Sequence, residues 1–195
     1  MLGERSTQGF VTEFPHASDA VEFARRVHEG QARKVDGAPF IEHPLEVATI
    51  LRNADAADDV IAAGVLHDVI EKTDVRVAEL EARFGPHIAG TVAAVSEDPR
   101  IGPYEERKAA LREGAAKAGD EALMVLAADK VSKARELRLH PTAAKHAARR
   151  IHHYRECLRL VEERLPGSPL VTELEYELTL LAASRHERVL AGDRG

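Results

Sequence analysis

A single cysteine, Cys157, stands in a chain of 195 residues, so an intrachain disulfide and a multi-cysteine zinc site are both excluded. Tryptophan is absent, and three Tyr and five Phe are all the aromatic residues, which leaves little for the stacking platform of a single-strand nucleic-acid binder. Positive charge is in deficit, with 27 Lys and Arg against 33 Asp and Glu and a formal charge of −6, the reverse of a basic nucleic-acid module. No nucleic acid is expected as a partner. No apolar run approaches the ~20 residues that span a bilayer, and Met1 to Phe10 lacks the apolar core of a signal peptide. The expectation is a cytoplasmic protein with no membrane partner. What is plentiful is histidine, 10 in all, and in an acidic chain that directs attention to metal sites held by His, Asp and Glu. Self-association into a homo-oligomer is left open.

Hydrophobic residues at 44% and charged residues at 31% are ordinary globular proportions. The apolar spacing is helical along nearly the whole length. Ala20, Phe23, Ala24 and Val27 follow i, i+3, i+4, i+7 behind Ser18, a predicted N-cap. Beyond a loop from Gly30 to Pro39, a second helix is predicted from about Pro44, and a third from Asp58 or Asp59 through Leu66. Val77 to Phe84 reads as a short helix ended by Gly85, with another from Ile88 to Val95. After a loop from Ser96 to Pro103, longer helices are predicted at about Tyr104–Lys117, Glu121–Arg138, Thr142–Leu165 and Leu170–Leu190, broken at Pro141 and at Pro166 to Pro169. No alternating strand of convincing length and no repeat is present. The fold class is all-α, one domain over 1–195, with a core of about 18–140 and C-terminal helices over about 142–192.

Three places carry chemistry. The pair His67-Asp68 closes an apolar run, His43 precedes it in Ile-Glu-His-Pro, and Asp129 ends the run Leu-Met-Val-Leu-Ala-Ala. A carboxylate after so apolar a stretch is costly to bury unless it is paired or bound to a cation. Two imidazoles and two carboxylates suit Mn, Fe, Zn or a similar divalent ion with positions left open for water and substrate. Spacing alone does not bring these four together; only the fold can.

Several short strings occur in one order: Gln31-Ala32-Arg33-Lys34, Pro39-Phe40-Ile41-Glu42-His43-Pro44, Leu66-His67-Asp68-Val69-Ile70-Glu71, Phe84-Gly85, Val95-Ser96-Glu97, Glu106-Arg107-Lys108 and Ala128-Asp129-Lys130. Together they resemble the hydrolase domain of RelA/SpoT-type proteins, members of the HD superfamily of metal-dependent phosphohydrolases. The resemblance runs from about Val21 to Arg138 and more weakly to Tyr154. It implies an HD-domain helical bundle, and the length matches the stand-alone small alarmone hydrolases, which remove the 3′-pyrophosphate of guanosine tetra- and pentaphosphate with Mn²⁺. Carried over, it implies His43, His67, Asp68 and Asp129 as metal ligands. Arg33 and Lys34 match a basic pair beside the nucleotide and its phosphates, and Tyr154 a tyrosine of the nucleotide pocket. The partner implied is a guanosine polyphosphate or related nucleotide. On a continuing helix, Glu71 falls on the side of His67 (i+4) and Asp68 (i+3), where a carboxylate can orient or deprotonate water.

Two departures stand out. Hydrolases of this group usually carry Glu-Asp where this chain has Glu71-Lys72, and an asparagine contacting the nucleotide where it has Lys133. Lys72 also stands at i+4 from Asp68, close enough to pair with it. If both lysines face the pocket it becomes more positive, which suits another phosphate-rich substrate or a weakened alarmone hydrolase. The alternatives are therefore a phosphatase for a different nucleotide and a catalytically weak nucleotide-binding relative. His152, His153 and Cys157 share a helix without a fourth ligand and read as a polar face.

Overall fold

The computed structural model describes residues 14–141 and 146–190, with side chains to 185. The predicted start of a helix at Thr142, the domain limit at 192 and the N-terminal decapeptide lie outside the described residues. In chain order the helices are α1 (Pro15–Val27), α2 (Glu42–Asn53), α3 (Asp58–Leu66), α4 (Val69–Lys72), α5 (Val77–Ala94), α6 (Tyr104–Ala118), α7 (Asp120–Leu139), α8 (Ala147–Arg164) and α9 (Pro169–Leu190). Among the described residues there is no β-strand, only an isolated bridge between Ala32 and Pro39 that closes the loop before α2. No helix among them is long and apolar enough to cross a membrane.

The helix α3 is the axis of the bundle. Every residue from Val60 to Leu66 is buried, as expected of a helix that is apolar all round. It packs against α1, α2, α5 and α7, while α7 in turn carries α8 and α9 on its other side. The close approach of α2 to α3 depends on Gly64, where a Cβ would lie 2.3 Å from Leu51 Cδ1. Gly85, with φ of 81°, breaks α5 just before Pro86, where the sequence places a helix end.

Two local departures from the sequence reading have physical causes. The first helix begins three residues before Ser18, because Pro15 suits a first turn and the carboxylate of Asp58, 42 residues away, accepts the backbone amides of His16 and Ala17, each at 2.8 Å. A tertiary cap has replaced a local one. The second departure is that the helix ending at Leu66 does not continue through Glu71. His67 and Asp68 form a turn, and α4 then starts afresh.

The same corner yields a pH prediction. The His16 imidazole bonds the Asp59 carboxylate, and this hydrogen bond, aided by the charges of Asp59, Asp58 and Asp19, raises its pKa above the ordinary 6.5. The pair therefore contributes stability that is full below pH 6.5 and is lost as pH rises through the folded-state value. The ring is 60% exposed, so the effect is small. The difference in Tm between the wild type and His16→Gln is expected to shrink between pH 6 and pH 9; a constant difference contradicts this assignment.

Candidate metal centre

Four side chains from three places in the chain converge where the start of α2 and the end of α3 meet the middle of α7. His43 comes from the first turn of α2, His67 and Asp68 from the turn after α3, and Asp129 from the middle of α7. One ligand atom each from His43, His67 and Asp129 lie within 4.8 Å of one another. Asp129 Oδ1 is 3.2 Å from His43 Nε2 and 3.4 Å from His67 Nε2, and Asp68 Oδ2 is 3.6 and 3.5 Å from the same two nitrogens. All four residues are buried.

The outer partners of the two imidazoles assign their tautomers. His67 Nδ1 donates to the Gly64 carbonyl at 2.7 Å, a group that can only accept. His43 Nδ1 faces Ser132 Oγ at 2.9 Å, and that hydroxyl spends its own proton on Glu46 Oε2 at 2.8 Å, so it too can only accept from the ring. In neutral rings both Nε2 atoms then carry lone pairs, and these face each other at 3.2 Å. Two lone pairs and two carboxylates aimed at one point repel unless a cation stands among them. Asp129 Oδ1 is moreover one of two buried side-chain polar atoms among the described residues without a hydrogen bond, although it lies in an ion pair with Lys133. The residues fit a divalent cation, by donor set as well as by aim.

The four groups also act on one another's charge. Burial pushes the His43 imidazole toward its neutral form. At His67 burial acts the same way but is outweighed by the charges of Asp68 and Asp129, which raise its pKa. Burial opposes ionisation of Asp68 and Asp129 too, yet both are held below the usual carboxylate range, Asp68 chiefly by His67 and Asp129 by Lys130 and Lys133. Lys130, 2% exposed, bonds Asp129 Oδ2, and Lys133 Nζ lies 3.1 Å from the same oxygen.

Above this centre opens a cleft of about 730 Å³, with His43 and Asp68 in its wall. Arg33, Lys34, Lys72 and Lys133 all line it, joined by Arg150 of α8, which was not among the candidates read from the sequence. The opposing acids are Asp68 and Glu136. Arg33 is fixed by Asp36 within its loop, a contact that holds the Asp36 carboxyl down at about 2. Lys72 is exposed, and its backbone carbonyl accepts from Gln31 Nε2 at 3.0 Å. Among the described residues Asp68 pairs with the two imidazoles rather than with Lys72.

Besides the metal-ligand candidates, two residues singled out from the sequence lie elsewhere than on the cleft wall. Glu71 is exposed, and its Oε1 accepts the backbone amide of Glu97 at 2.6 Å, which ties α4 to the loop after α5. Tyr154 is buried, and its hydroxyl accepts from Arg150 Nε at 3.2 Å, so it meets the cleft through that arginine. His153 is buried beside Lys130, Lys108 and Arg112, and its pKa is pushed down to about 2, first by burial and then by these cations. His152 is exposed. Sequence reasoning missed Ser132, Glu46, Glu136 and Arg150; the i+3 and i+7 spacing of Ser132 and Glu136 from Asp129 was the available signal.

This helical bundle with His and Asp side chains converging at its centre is an HD domain: the profile of that family matches residues 20–154, and the chain belongs to it. Within the family, the chain is 35% identical over 166 residues to the guanosine-3′,5′-bis(diphosphate) 3′-pyrophosphohydrolase MESH1 of Danio rerio, covering 84% of this chain and 91% of that protein. The Homo sapiens MESH1 is 37% identical over 122 residues, 61% of this chain and 68% of the other. Among solved structures, one of a metazoan ortholog of SpoT that hydrolyzes ppGpp and plays a role in starvation responses superposes with a TM-score of 0.71 at 28% identity, over 84% of this chain and 94% of that one.

Proposed function

We propose that this chain is a metal-dependent hydrolase that removes the 3′-pyrophosphate of guanosine 3′,5′-bis(diphosphate) or a closely related nucleotide. The observation that carries the reading is the pair of His Nε2 atoms facing each other at 3.2 Å, with Asp68 and Asp129 beside them, at the base of a cleft lined with cations. The likeness to MESH1 over most of both chains supports the substrate.

His43, His67, Asp68 and Asp129 would hold the ion, Mn²⁺ in this reading. A divalent ion there supplies Lewis acidity, making hydroxide available near neutral pH and polarising a phosphoryl oxygen. The remaining work falls to the chain. Arg33, Lys34, Lys72 and Lys133 offset the charge of a polyphosphate and orient it, with Tyr154 acting on the pocket through Arg150. Glu71, tied by its carboxylate to the Glu97 amide, acts by holding α4, and with it Lys72, beside the centre rather than from the cleft wall.

The test is incubation of purified protein with Mn²⁺ and a panel of nucleotides, followed by separation of products. Release of pyrophosphate from the tetraphosphate is expected. Orthophosphate release from other nucleotides favours the second reading, a phosphatase with a different substrate, for which Lys72 and Lys133 on the cleft wall speak. Tight binding without turnover identifies a nucleotide-binding relative and contradicts both enzymatic readings.

A further inference from the structure

The contact between α2 and α7 extends beyond the shared centre. One turn after His43 on α2 stands Glu46, and one turn after Asp129 on α7 stands Ser132, 1% exposed. A serine inside a helix ordinarily turns its hydroxyl back to a carbonyl of its own preceding turn. Here the hydroxyl crosses to the neighbouring helix, accepting from His43 Nδ1 and donating to Glu46 Oε2. Glu46 is in turn fixed by Arg135 Nη1 at 2.7 Å. The same guanidinium donates through Nε to Glu177 at 2.8 Å and through Nη2 to Glu173 at 2.9 Å, both on α9. Arg138 adds a second bond to the buried Glu177 at 3.1 Å. Isolated exposed ion pairs are weak, but a planar guanidinium bonded to three carboxylates on two helices holds Glu46 in one orientation.

We propose that Ser132 and Glu46 are positioning residues for His43: a carboxylate–hydroxyl–imidazole relay that fixes the ring's tautomer and aim and thereby sets the affinity of the centre for a divalent cation. This rests on the metal reading above. The direction of the relay follows from proton inventory. Glu46 as a carboxylate cannot donate, so Ser132 donates to it and retains only lone pairs for His43 Nδ1–H. The ring then presents Nε2 as a lone pair, and the negative charge behind the hydroxyl increases its basicity toward a cation, as outer partners of metal-binding histidines commonly do. Ser132→Ala removes the acceptor and leaves the Nδ1–H buried without a partner. Glu46→Gln, at a half-buried position, keeps an acceptor oxygen and removes the charge.

The experiment is calorimetric titration of the full chain with Mn²⁺, with the Tm of each metal-free protein measured beside it. Ser132→Ala is expected to weaken Mn²⁺ binding about 10- to 100-fold and Glu46→Gln by a smaller factor in the same direction, beyond anything their changes in Tm account for. A merely structural role would lower Tm and leave the dissociation constant where it was, and that result in either variant overturns the relay. Should Ser132→Ala fail to fold, Glu46→Gln carries the test alone. Wild-type protein that takes up no Mn²⁺ overturns the relay together with the centre it serves, whereas uptake of Mn²⁺ without hydrolysis of any nucleotide leaves the relay intact and defeats only the assigned activity.

Discussion

Asp129→Ala is expected to abolish metal uptake and hydrolysis and, in the same stroke, to destabilise the fold by about 3–5 kcal/mol, a fall in Tm of about 6–20 °C. The two losses have different causes. The first follows from removing the carboxylate that points between both imidazoles. The second follows from Lys130, which is 2% exposed and whose ammonium bonds Asp129. Without that carboxylate a buried cation loses its counter-charge, while Lys133, with 31% of its side chain exposed, can turn to solvent. His67→Ala separates the effects: it removes a ligand atom and one bond to the Gly64 carbonyl, but Lys130 keeps Asp129 and Asp68 keeps His43. It is expected to lose metal and activity with the smaller fall in Tm. Circular dichroism melts and metal analysis of the two variants check this, and equal melting temperatures would contradict the role given to Lys130.

The second large effect is a gain. Lys72→Asp is expected to raise the rate of pyrophosphate release from guanosine tetraphosphate by a factor on the order of 10², the low end of what a placed acid or base contributes. Lys72 lines the cleft one turn beyond Asp68, where relatives of the kind this chain resembles usually carry an aspartate. Its ammonium is not spent on Asp68, which pairs with His43 and His67, so the exchange changes the charge facing the substrate rather than releasing a ligand. Single-turnover rates for the wild type, Lys72→Asp and Lys72→Ala measure it. A flat or lower rate in the aspartate variant means that this position does not limit the reaction.

Much of the architecture was legible because apolar periodicity is a direct readout of burial. Helices α6, α7 and α9 fall within a residue or so of their predicted limits, and Gly85 breaks α5 where a residue free to adopt positive φ was expected. What failed depended on contacts distant in sequence. Nothing near Ser18 announces that Asp58 caps α1. Nothing in Leu-His-Asp-Val-Ile marks a helix break, since there is neither glycine nor proline. The turn instead accompanies the His67 ring, which bonds the Gly64 carbonyl, the acceptor that an unbroken helix would offer to the Asp68 amide.

The site divides in the same way. Histidines and aspartates in apolar runs stand out because their burial needs a reason, so His43, His67, Asp68 and Asp129 could be picked before their meeting was visible. Ser132 and Glu46 carry no such mark, for an isolated serine in a helix and a glutamate one turn from a histidine are ordinary. Arg150 was hidden among Arg149 and Arg155 on one basic helix, and only the packing of α8 on α7 turns it to the cleft.

The most direct measurement is the metal content of wild-type and His67→Ala protein after equilibration with excess Mn²⁺ and removal of free ion. One Mn per chain in the wild type and essentially none in His67→Ala is the predicted result. Wild-type protein that emerges empty, or a variant that retains the ion in full, would contradict the account.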